Sequence, residues 1–215
     1  CQSNGCPATA LYDMADLARL PHLEQLGHWM DVEHPALGRV RDLGAAMRFP
    51  DCPGGPRRGA PLLGEHSAEV FASLRPVAVG EAAERAERAE RAAKNAALPL
   101  SGMRVANFGW GVTGPMAGQL LSFLGAEVYK IESQVHPDIQ RTIPPFHRGI
   151  PDPDRSLQNH AYWAGNGSIT LNLKRREAQE LALELVAKCD VALENFGPGV
   201  MKRMDLEYER LRSVR

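Results

Sequence analysis

The feature that most constrains the fold is a strand–loop–helix–strand pattern in the second half of the chain. Residues 103–108 read as a strand, and the glycine-rich stretch 109–115 follows directly. Residues 116–124 then have the pattern of a helix, which Gly125 closes at the C-cap position, and residues 127–132 predict a second strand. Such a unit implies two parallel strands joined by a right-handed crossover.

The rest of this half continues the same alternation of strands and helices. Residues 168–172 predict a third strand, residues 177–188 an amphipathic helix, and residues 191–194 a fourth strand. The order of these elements is typical of the α/β class with an open, Rossmann-like parallel sheet.

The first 76 residues have a different composition, rich in proline, glycine and histidine, and they predict a small α+β segment. A helix is expected over 8–20, where apolar residues recur at intervals of three, and a second over 67–74 with Ser67 as its N-cap. Between them, residues 29–34 and 39–41 are expected to form two strands joined by a turn at 34–38.

Residues 77–97 are dominated by alanine, glutamate and arginine and separate the two halves. Three pairs of opposite charge stand four residues apart, each contributing about 0.2–0.5 kcal/mol to an isolated helix: Glu84 with Arg88, Glu87 with Arg91, and Glu90 with Lys94. The segment has few large apolar residues to bury, so a solvated, charged helical linker is expected rather than a coiled-coil partner.

Composition excludes several classes of protein. The 215 residues carry a formal net charge of -1 and 44% hydrophobic residues, which is ordinary for a globular chain and gives no bulk attraction to nucleic acid or to a membrane. The longest apolar runs are too short to cross a bilayer. The four cysteines lack the spacing of a zinc site or a disulfide scaffold, so no metal is expected and a cytoplasmic location is favoured.

The glycine-rich loop allows two interpretations. Gly109, Gly111 and Gly114 meet the G-x-G-x-x-G spacing after a strand, and Glu132 ends the second strand near where a ribose-binding acid would lie, which is the pattern of a dinucleotide site. Pro115 follows at once, however, and a tight turn that lets a helix pack closely on the sheet accounts for the same glycines.

Polar and aromatic residues follow the later strands, where open α/β sheets bind ligands. Asn195 can donate and accept hydrogen bonds, and Phe196 offers a ring face, although a turn that starts the next helix explains the stretch equally well. Lys174 and Arg203 could meet phosphates or be solvated surface charges. His136, His147 and His160 lie in a predicted loop over 134–165 and are given no role.

Ordered motifs across residues 98–215 resemble the N-terminal segment of the class III CoA-transferase family, whose members include formyl-CoA transferase and carnitine CoA-transferases. The matching stretches are LPLSGMRV at 98–105, GP at 114–115, LGAEVYKIE at 124–132, SITLNLK at 168–174 and DVALENFGPGVM at 190–201. Residues 6–75 resemble the C-terminal end of the same family, through HPALG at 34–38 and APLLGEHSAEV at 60–70.

The two resemblances imply a junction of a tandem fusion. Residues 1–76 would be the C-terminal end of a first CoA-transferase unit, 77–97 a charged helical linker, and 98–215 the N-terminal, Rossmann-like CoA-binding part of a second unit. The resemblance implies coenzyme A as the cofactor, carried as an acyl-CoA substrate. Its contacts would fall at Val112, Thr113, Ser133, Leu171, Asn172, Leu173, Lys174, Asn195, Phe196, Gly197 and Arg203.

The resemblance further implies transfer of CoA between carboxylic acids through an aspartyl anhydride and an aspartyl-CoA thioester. The family's aspartate falls outside the matched segments, so no catalytic residue is assigned in this chain. An acyl-CoA racemase or epimerase of the same fold and a non-catalytic second copy are the alternatives. Family members form interlocked dimers, and two fused copies could pair within one chain. Few contacts are therefore expected between residues 1–76 and 98–215.

The sequence departs from the family pattern at three places. Ser133 stands where many members have arginine, and Arg141 or a neighbour is expected to supply the missing cation. Residues 166–167 are Asn-Gly where Lys-Arg is usual, and residues 110–112 replace polar residues that contact small acids in formyl-CoA transferase. A larger or more apolar acyl group and a decayed second copy are the two interpretations of these changes.

Overall fold

A computed structural model describes residues 2–5, 10–46, 54–74, 81–94 and 98–214. Its first half contains two short helices, α1 (Met14–Ala18) and α2 (Pro21–Gln25), and an antiparallel hairpin of β1 (Trp29–His34) and β2 (Gly38–Leu43). The hairpin, with its turn at 35–37, confirms the two strands expected from the sequence. The small α+β segment is therefore present.

The single helix predicted over 8–20 is wrong in its extent, although residues 6–9 lie outside the described part. Asp13 caps α1 by accepting a hydrogen bond from the amide of Asp16 (2.8 Å), and the Asp16 side chain accepts from Asp13 in return. This capping box fixes the first turn at Met14. Leu11 is fully exposed and Met14 is 78% exposed, so the three-residue spacing does not mark a buried face.

The helix α3 (Ser67–Leu74) has the predicted bounds, but Ser67 is not its N-cap. Its hydroxyl accepts a hydrogen bond from the backbone amide of Thr170 (3.0 Å), in a strand of the main sheet. Ser67 thus connects the helix to the sheet instead of closing the helix's own first turn.

A charged helix, α4 (Glu81–Lys94), forms within the range where a helical linker is expected, with the predicted ion pair between Glu87 and Arg91 at 2.8 Å. It is not purely a solvated spacer, however. The carbonyl of Ala92 accepts from the Ser101 hydroxyl (2.7 Å), and Arg88 lies 3.3 Å from Asp190. The helix therefore contacts the amino end of the main sheet through Arg88 and Ala92.

The main sheet contains four parallel strands: β3 (Arg104–Asn107), β4 (Glu127–Glu132), β5 (Gly167–Thr170) and β6 (Val191–Leu193). They lie in the order β5-β4-β3-β6. The connecting helices are α5 (Thr113–Phe123), α6 (Leu157–Trp163) and α7 (Arg176–Ala187), and two short helices, α8 (Val200–Arg203) and α9 (Tyr208–Arg212), follow the last strand. This arrangement confirms the predicted Rossmann-like α/β sheet.

Helix α5 begins three residues before the predicted start at residue 116. Pro115 had been placed in the loop, but it occupies the first turn of the helix, where a proline is tolerated because the first amides have no intrahelical acceptor. The predicted loop over 134–165 likewise contains α6, with His160 buried in it.

The sheet is covered on both faces. Helices α3 and α7 bury one face, where Ala106, Ile131 and Ile169 pack against α7 residues such as Ala182 and Leu185. Helix α5 covers the opposite face, formed by residues that include Val105 and Val128. Burial on both faces is typical of parallel strands, and it also encloses polar residues of these strands such as Lys130, Glu132 and Ser168.

The expectation of few contacts between residues 1–76 and 98–215 is wrong. Val70 and Leu74 of α3 belong to the same apolar core as the main sheet. Along the outer edge of β5, the amide of His66 donates to the carbonyl of Ser168 (2.9 Å), and the amide of Gly64 donates to the Ser168 hydroxyl (3.0 Å). Residues 64–67 thereby cover an otherwise open sheet edge, which is a physical reason for the two halves to associate.

Of the helices in the described ranges, none combines the length and the apolar character that a bilayer crossing requires.

Candidate functional site

The residues assigned to CoA lie along one edge of the main sheet. Val112 and Thr113 follow β3, Ser133 follows β4, residues 171–174 follow β5, and residues 195–197 follow β6. Since the strands are parallel, all four carboxyl ends meet at this edge. We call the loops 108–113 (the β3 loop), 133–138, 171–175 and 194–199 (the β6 loop) together the carboxyl-edge loops.

The sheet has a topological switch point between β3 and β6. The chain passes from β3 to β4 and β5 on one side and then returns to β6 on the other side of β3. Connections that diverge in this way leave a crevice between the two strands at their carboxyl ends, where open α/β sheets bind ligands. Val112, Thr113, Asn195, Phe196 and Gly197 follow the two strands that form this crevice.

Asn195 ties the two walls of the crevice together. Its Oδ1 accepts from the amide of Trp110 (2.7 Å), and its Nδ2 donates to the Trp110 carbonyl (2.9 Å). The sequence predicts that this side chain contacts a ligand. In the structure, both its amide oxygen and its amide nitrogen are hydrogen-bonded to the neighbouring loop. Its role in this structure is to hold the β3 loop beside the β6 loop.

The glycines of the β3 loop serve close packing. A Cβ atom on Gly109 would collide with Gly114, and one on Gly114 would collide with Gly109 and with the Asn195 side chain. The backbones at the end of β3 and the start of α5 therefore touch, as the tight-turn interpretation predicts. Gly111 has a φ of +73°, which a side chain would strain.

The two cations assigned to phosphate lie at opposite ends of the edge. Lys174 is exposed beyond β5, and Arg203 is exposed at the end of α8, with its guanidinium near the backbone of Gly199. Their strands, β5 and β6, are separated by two others, which corresponds to about 14 Å between the strand axes. Only an extended ligand could reach both.

The other assigned residues contribute less side chain to the edge than the sequence suggested. Leu171 is buried in the apolar core, and Phe196 is half-buried against the same core, which leaves only part of its ring accessible. The Ser133 hydroxyl accepts from the amide of Val135 (3.2 Å). Asn172 and Leu173 are half-buried.

Arg141 cannot supply the cation that Ser133 lacks, so the expectation is wrong for this residue. Its side chain is fully buried, and it pairs with Glu132 (2.8 Å) and Asp154 (2.7 Å) and donates to the carbonyl of Pro61 (3.1 Å). The same contacts exclude Glu132 as a ribose-binding acid. Its carboxylate pairs with Arg141 and also accepts a hydrogen bond from the Ser168 hydroxyl (3.0 Å). The dinucleotide interpretation loses its acidic residue.

A second buried ion pair lies beneath the β3 loop, and sequence reasoning missed it. Lys130 Nζ is 2.6 Å from Asp138 Oδ2, with both side chains fully buried, and it lies 3.4 Å from the ring centroid of Trp163. A signal was available in the sequence: a lysine within a strand of a parallel sheet that is covered on both faces requires a buried partner.

Burial and charge oppose each other in this network. Burial lowers the pKa of Lys130, although Glu132 and Asp138 work to raise it. Burial works to raise the pKa of Glu132, but Lys130 and Arg141 outweigh it and hold the pKa below its ordinary value. The pKa of each of these two residues therefore depends on the charges of its neighbours in the network.

One of the three histidines of the predicted loop over 134–165, His160, lies in helix α6 instead. His160 is buried, lies 3.2 Å from Asp42 of β2, and contacts the ring of His34 with centroids 5.4 Å apart. His136 stays at the edge, with its ring 5.5 Å from that of Trp110. Within the described ranges, no three histidine, cysteine, aspartate or glutamate residues are grouped so that they could hold a metal ion.

Comparison with known proteins gives matches in both halves. The profile of CoA-transferase family III matches residues 1–67 and 100–215. The formyl-CoA:oxalate CoA-transferase of Bradyrhizobium sp. (strain ORS 278) is 37% identical over 118 residues, covering 54% of this chain and 26% of that protein. The acetyl-CoA:oxalate CoA-transferase of Acetobacter aceti is 38% identical over 116 residues, covering 54% and 28%.

Among solved structures, a CAIB/BAIF family protein from Brucella suis has 36% sequence identity and a TM-score of 0.49, covering 55% of this chain and 31% of the other. The chain spans about a quarter of the length of the curated relatives described above. Because the family profile covers most of its residues, the chain belongs to CoA-transferase family III.

Proposed function

We propose that residues 98–215 form the CoA-binding part of an enzyme that transfers CoA between carboxylic acids. One observation carries the proposal: the loops assigned to CoA follow the carboxyl ends of parallel strands and flank the switch point between β3 and β6. Family membership supports the same ligand, since the relatives' names specify CoA-transferases.

The edge offers groups that suit the parts of CoA. The exposed cations Lys174 and Arg203 bind phosphate groups. Because they lie at opposite ends of the edge, the ligand that contacts both must be extended, as CoA is. The partly accessible ring of Phe196 lies against the adenine base. The backbone at Val112 and Thr113, in the first turn of α5 where amides lack intrahelical acceptors, faces the pantetheine arm.

The chemistry that such a site serves requires an aspartate from a part of the family sequence that has no counterpart here. Its carboxylate attacks the thioester carbonyl of the donor, the carbon–sulfur bond breaks, and CoA leaves as a thiolate, which produces a mixed anhydride. The thiolate then attacks the aspartyl carbonyl and releases the donor acid. An acceptor carboxylate repeats the two steps in reverse. In this sequence of steps, residues 98–215 bind and orient CoA.

The arrangement of the two halves belongs to the same proposal. We place the C-terminal end of a first unit at residues 1–76, a linker at 77–97 and the start of a second unit at 98–215. The two separate matches to one family profile, divided by the charged helix α4, support this division. An interlocked dimer, or pairing of two fused copies, and a cytoplasmic location remain predictions from the sequence.

The test is the affinity of the chain for CoA, measured by isothermal titration calorimetry. Arg203→Ala and Lys174→Ala are each expected to weaken binding about tenfold, because each removes one charge-assisted contact to phosphate. Lys202→Ala is the matched control: Lys202 is also exposed and lies on the same helix as Arg203, but it is not assigned to the site. Equal affinity of Arg203→Ala and Lys202→Ala would remove the site assignment.

A further inference from the structure

The carboxylate of Asp138 connects the buried lysine of β4 to the backbone of the β3 loop. Its Oδ2 accepts from Lys130 Nζ (2.6 Å) and from the amide of Gly111 (3.3 Å), while its Oδ1 accepts from the amide of Gln140 (2.9 Å). One carboxylate therefore joins a strand, the loop at the switch point and the start of the turn at 139–141. Asp138 is fully buried, so water does not compete for these bonds.

Stability alone is a poor explanation for this ion pair. Removing two charges from water is costly, and well-packed apolar residues of similar volume often stabilise a protein as well or better. Lys130 is nevertheless held on two sides, by the carboxylate and by the face of the Trp163 ring at 3.4 Å from its centroid. A group fixed so firmly can define the position of whatever it contacts, and what Asp138 contacts is Gly111.

The β3 loop is held at two consecutive residues. Asn195 binds both backbone groups of Trp110, at 2.7 Å and 2.9 Å, from the β6 side. Asp138 binds the amide of Gly111 from the β4 side. Gly111 has a left-handed backbone conformation, so its amide is turned differently from those of an extended strand. The next residues, Val112 and Thr113, lead into α5 and are assigned to CoA.

We infer that Asp138, oriented by Lys130, is a positioning residue that fixes the Gly111 backbone and thereby presents residues 112–113 to the ligand. The inference rests on the proposed CoA site for the identity of that ligand. The positioning itself does not depend on CoA. A site held to within a fraction of an ångström needs supporting residues of this kind, whose own conformations are fixed by packing.

Two double variants separate positioning from charge. We call them the Asn pair and the Leu pair, after the residue that replaces Asp138 in each. Lys130→Met with Asp138→Asn removes both charges but keeps an oxygen that accepts from Gly111, and the methionine packs against Trp163. Lys130→Met with Asp138→Leu removes the same charges and also the acceptor. Neither variant leaves an unpaired buried ion. The first is the matched control for the second.

Amide hydrogen exchange, measured by NMR without any ligand, reports whether the Gly111 amide of the β3 loop is hydrogen-bonded. In the unsubstituted chain, the Gly111 amide is expected to exchange at least about tenfold more slowly than in an unstructured peptide. The Leu pair is expected to exchange at Gly111 about tenfold faster than the Asn pair, with β4 (Glu127–Glu132) unchanged between them as internal reference. An unprotected Gly111 in the unsubstituted chain, or equal exchange in the two variants, overturns the inference.

CoA affinity supplies the second readout. The Asn pair is expected to bind CoA within about threefold of the unsubstituted chain, and the Leu pair about tenfold more weakly. If the unsubstituted chain does not bind CoA, the proposed function fails, while the exchange measurement still decides the positioning. If CoA binds both pairs equally although the Gly111 amide is released, the loop does not present residues 112–113 to CoA.

Discussion

At the scale of single residues, His34 shows how burial makes the hairpin sensitive to pH. The residue is only 4% exposed, and its Nδ1 accepts from the amides of Ala36 (3.0 Å) and Leu37 (3.2 Å). Protonation of Nδ1 would remove both bonds. Burial, together with the nearby charge of His160 when protonated, lowers the pKa of His34 from 6.5 to about 4.

This shift predicts a loss of stability in acid. Between pH 6.5 and 4 the folded chain binds fewer protons than the unfolded chain, so its stability falls as the pH drops through that window. From pH 7 to pH 5 the contribution of His34 falls by about 2 kcal/mol, measured as the free energy of unfolding in urea.

His34→Asn is the comparison, because the asparagine Oδ1 retains an acceptor for the two turn amides but does not titrate. The variant should lose about 2 kcal/mol less than the unsubstituted chain between pH 7 and pH 5. The same dependence on pH in both chains would contradict the role given to His34.

At the scale of elements, the edge of β5 is closed by side chains that replace a neighbouring strand. The outward amides of the strand are satisfied by His66 Nδ1 (3.3 Å) at Ser168 and by the Ser67 hydroxyl (3.0 Å) at Thr170. The edge strand is therefore protected without an additional strand. This arrangement depends on α3 being docked, since Ser67 is its first residue.

Ser67→Ala tests that closure. The alanine leaves the Thr170 amide without its acceptor, which is expected to lower the free energy of unfolding by about 1–2 kcal/mol in a urea titration. Ser73→Ala is the control on the same helix: its hydroxyl donates to the Val70 carbonyl within α3 and makes no bond to the sheet that the structure describes, so a change within about 0.5 kcal/mol is expected. Equal effects would show that the bond to Thr170 does not stabilise the edge.

Much of the element order was predictable because it rests on local signals. Short strand-like runs on either side of the glycine-rich loop and helix predict β3 and β4 almost to the residue, and the pattern of Ser67–Leu74 predicts a helix with the observed bounds. The start of α5 was missed because Pro115 was placed in the loop rather than in a first turn. Periodicity also cannot say what a side chain bonds to, and for that reason the partner of Ser67 was not foreseen.

At the scale of the whole molecule, the packing of residues 54–74 on 98–214 was not predictable from local pattern. The apolar face of α3 was readable, but not the fact that α3 and α7 share one core. The candidate site was predictable to the level of its edge, because strand ends of a parallel sheet meet there. The hydrogen bonds of Asn195 and Arg141 to other protein groups were not predictable, because they join residues far apart in the sequence.

The central claim is that the carboxyl-edge loops bind CoA. Hydrogen–deuterium exchange of the chain with and without saturating CoA tests it most directly. We expect slower exchange in residues 108–113 and 194–199, on the two sides of the switch point. No change is expected at the opposite, amino edge of the sheet, in residues 98–103 and 164–166. Protection confined to the amino edge, or none anywhere at a CoA concentration that saturates binding, would contradict it.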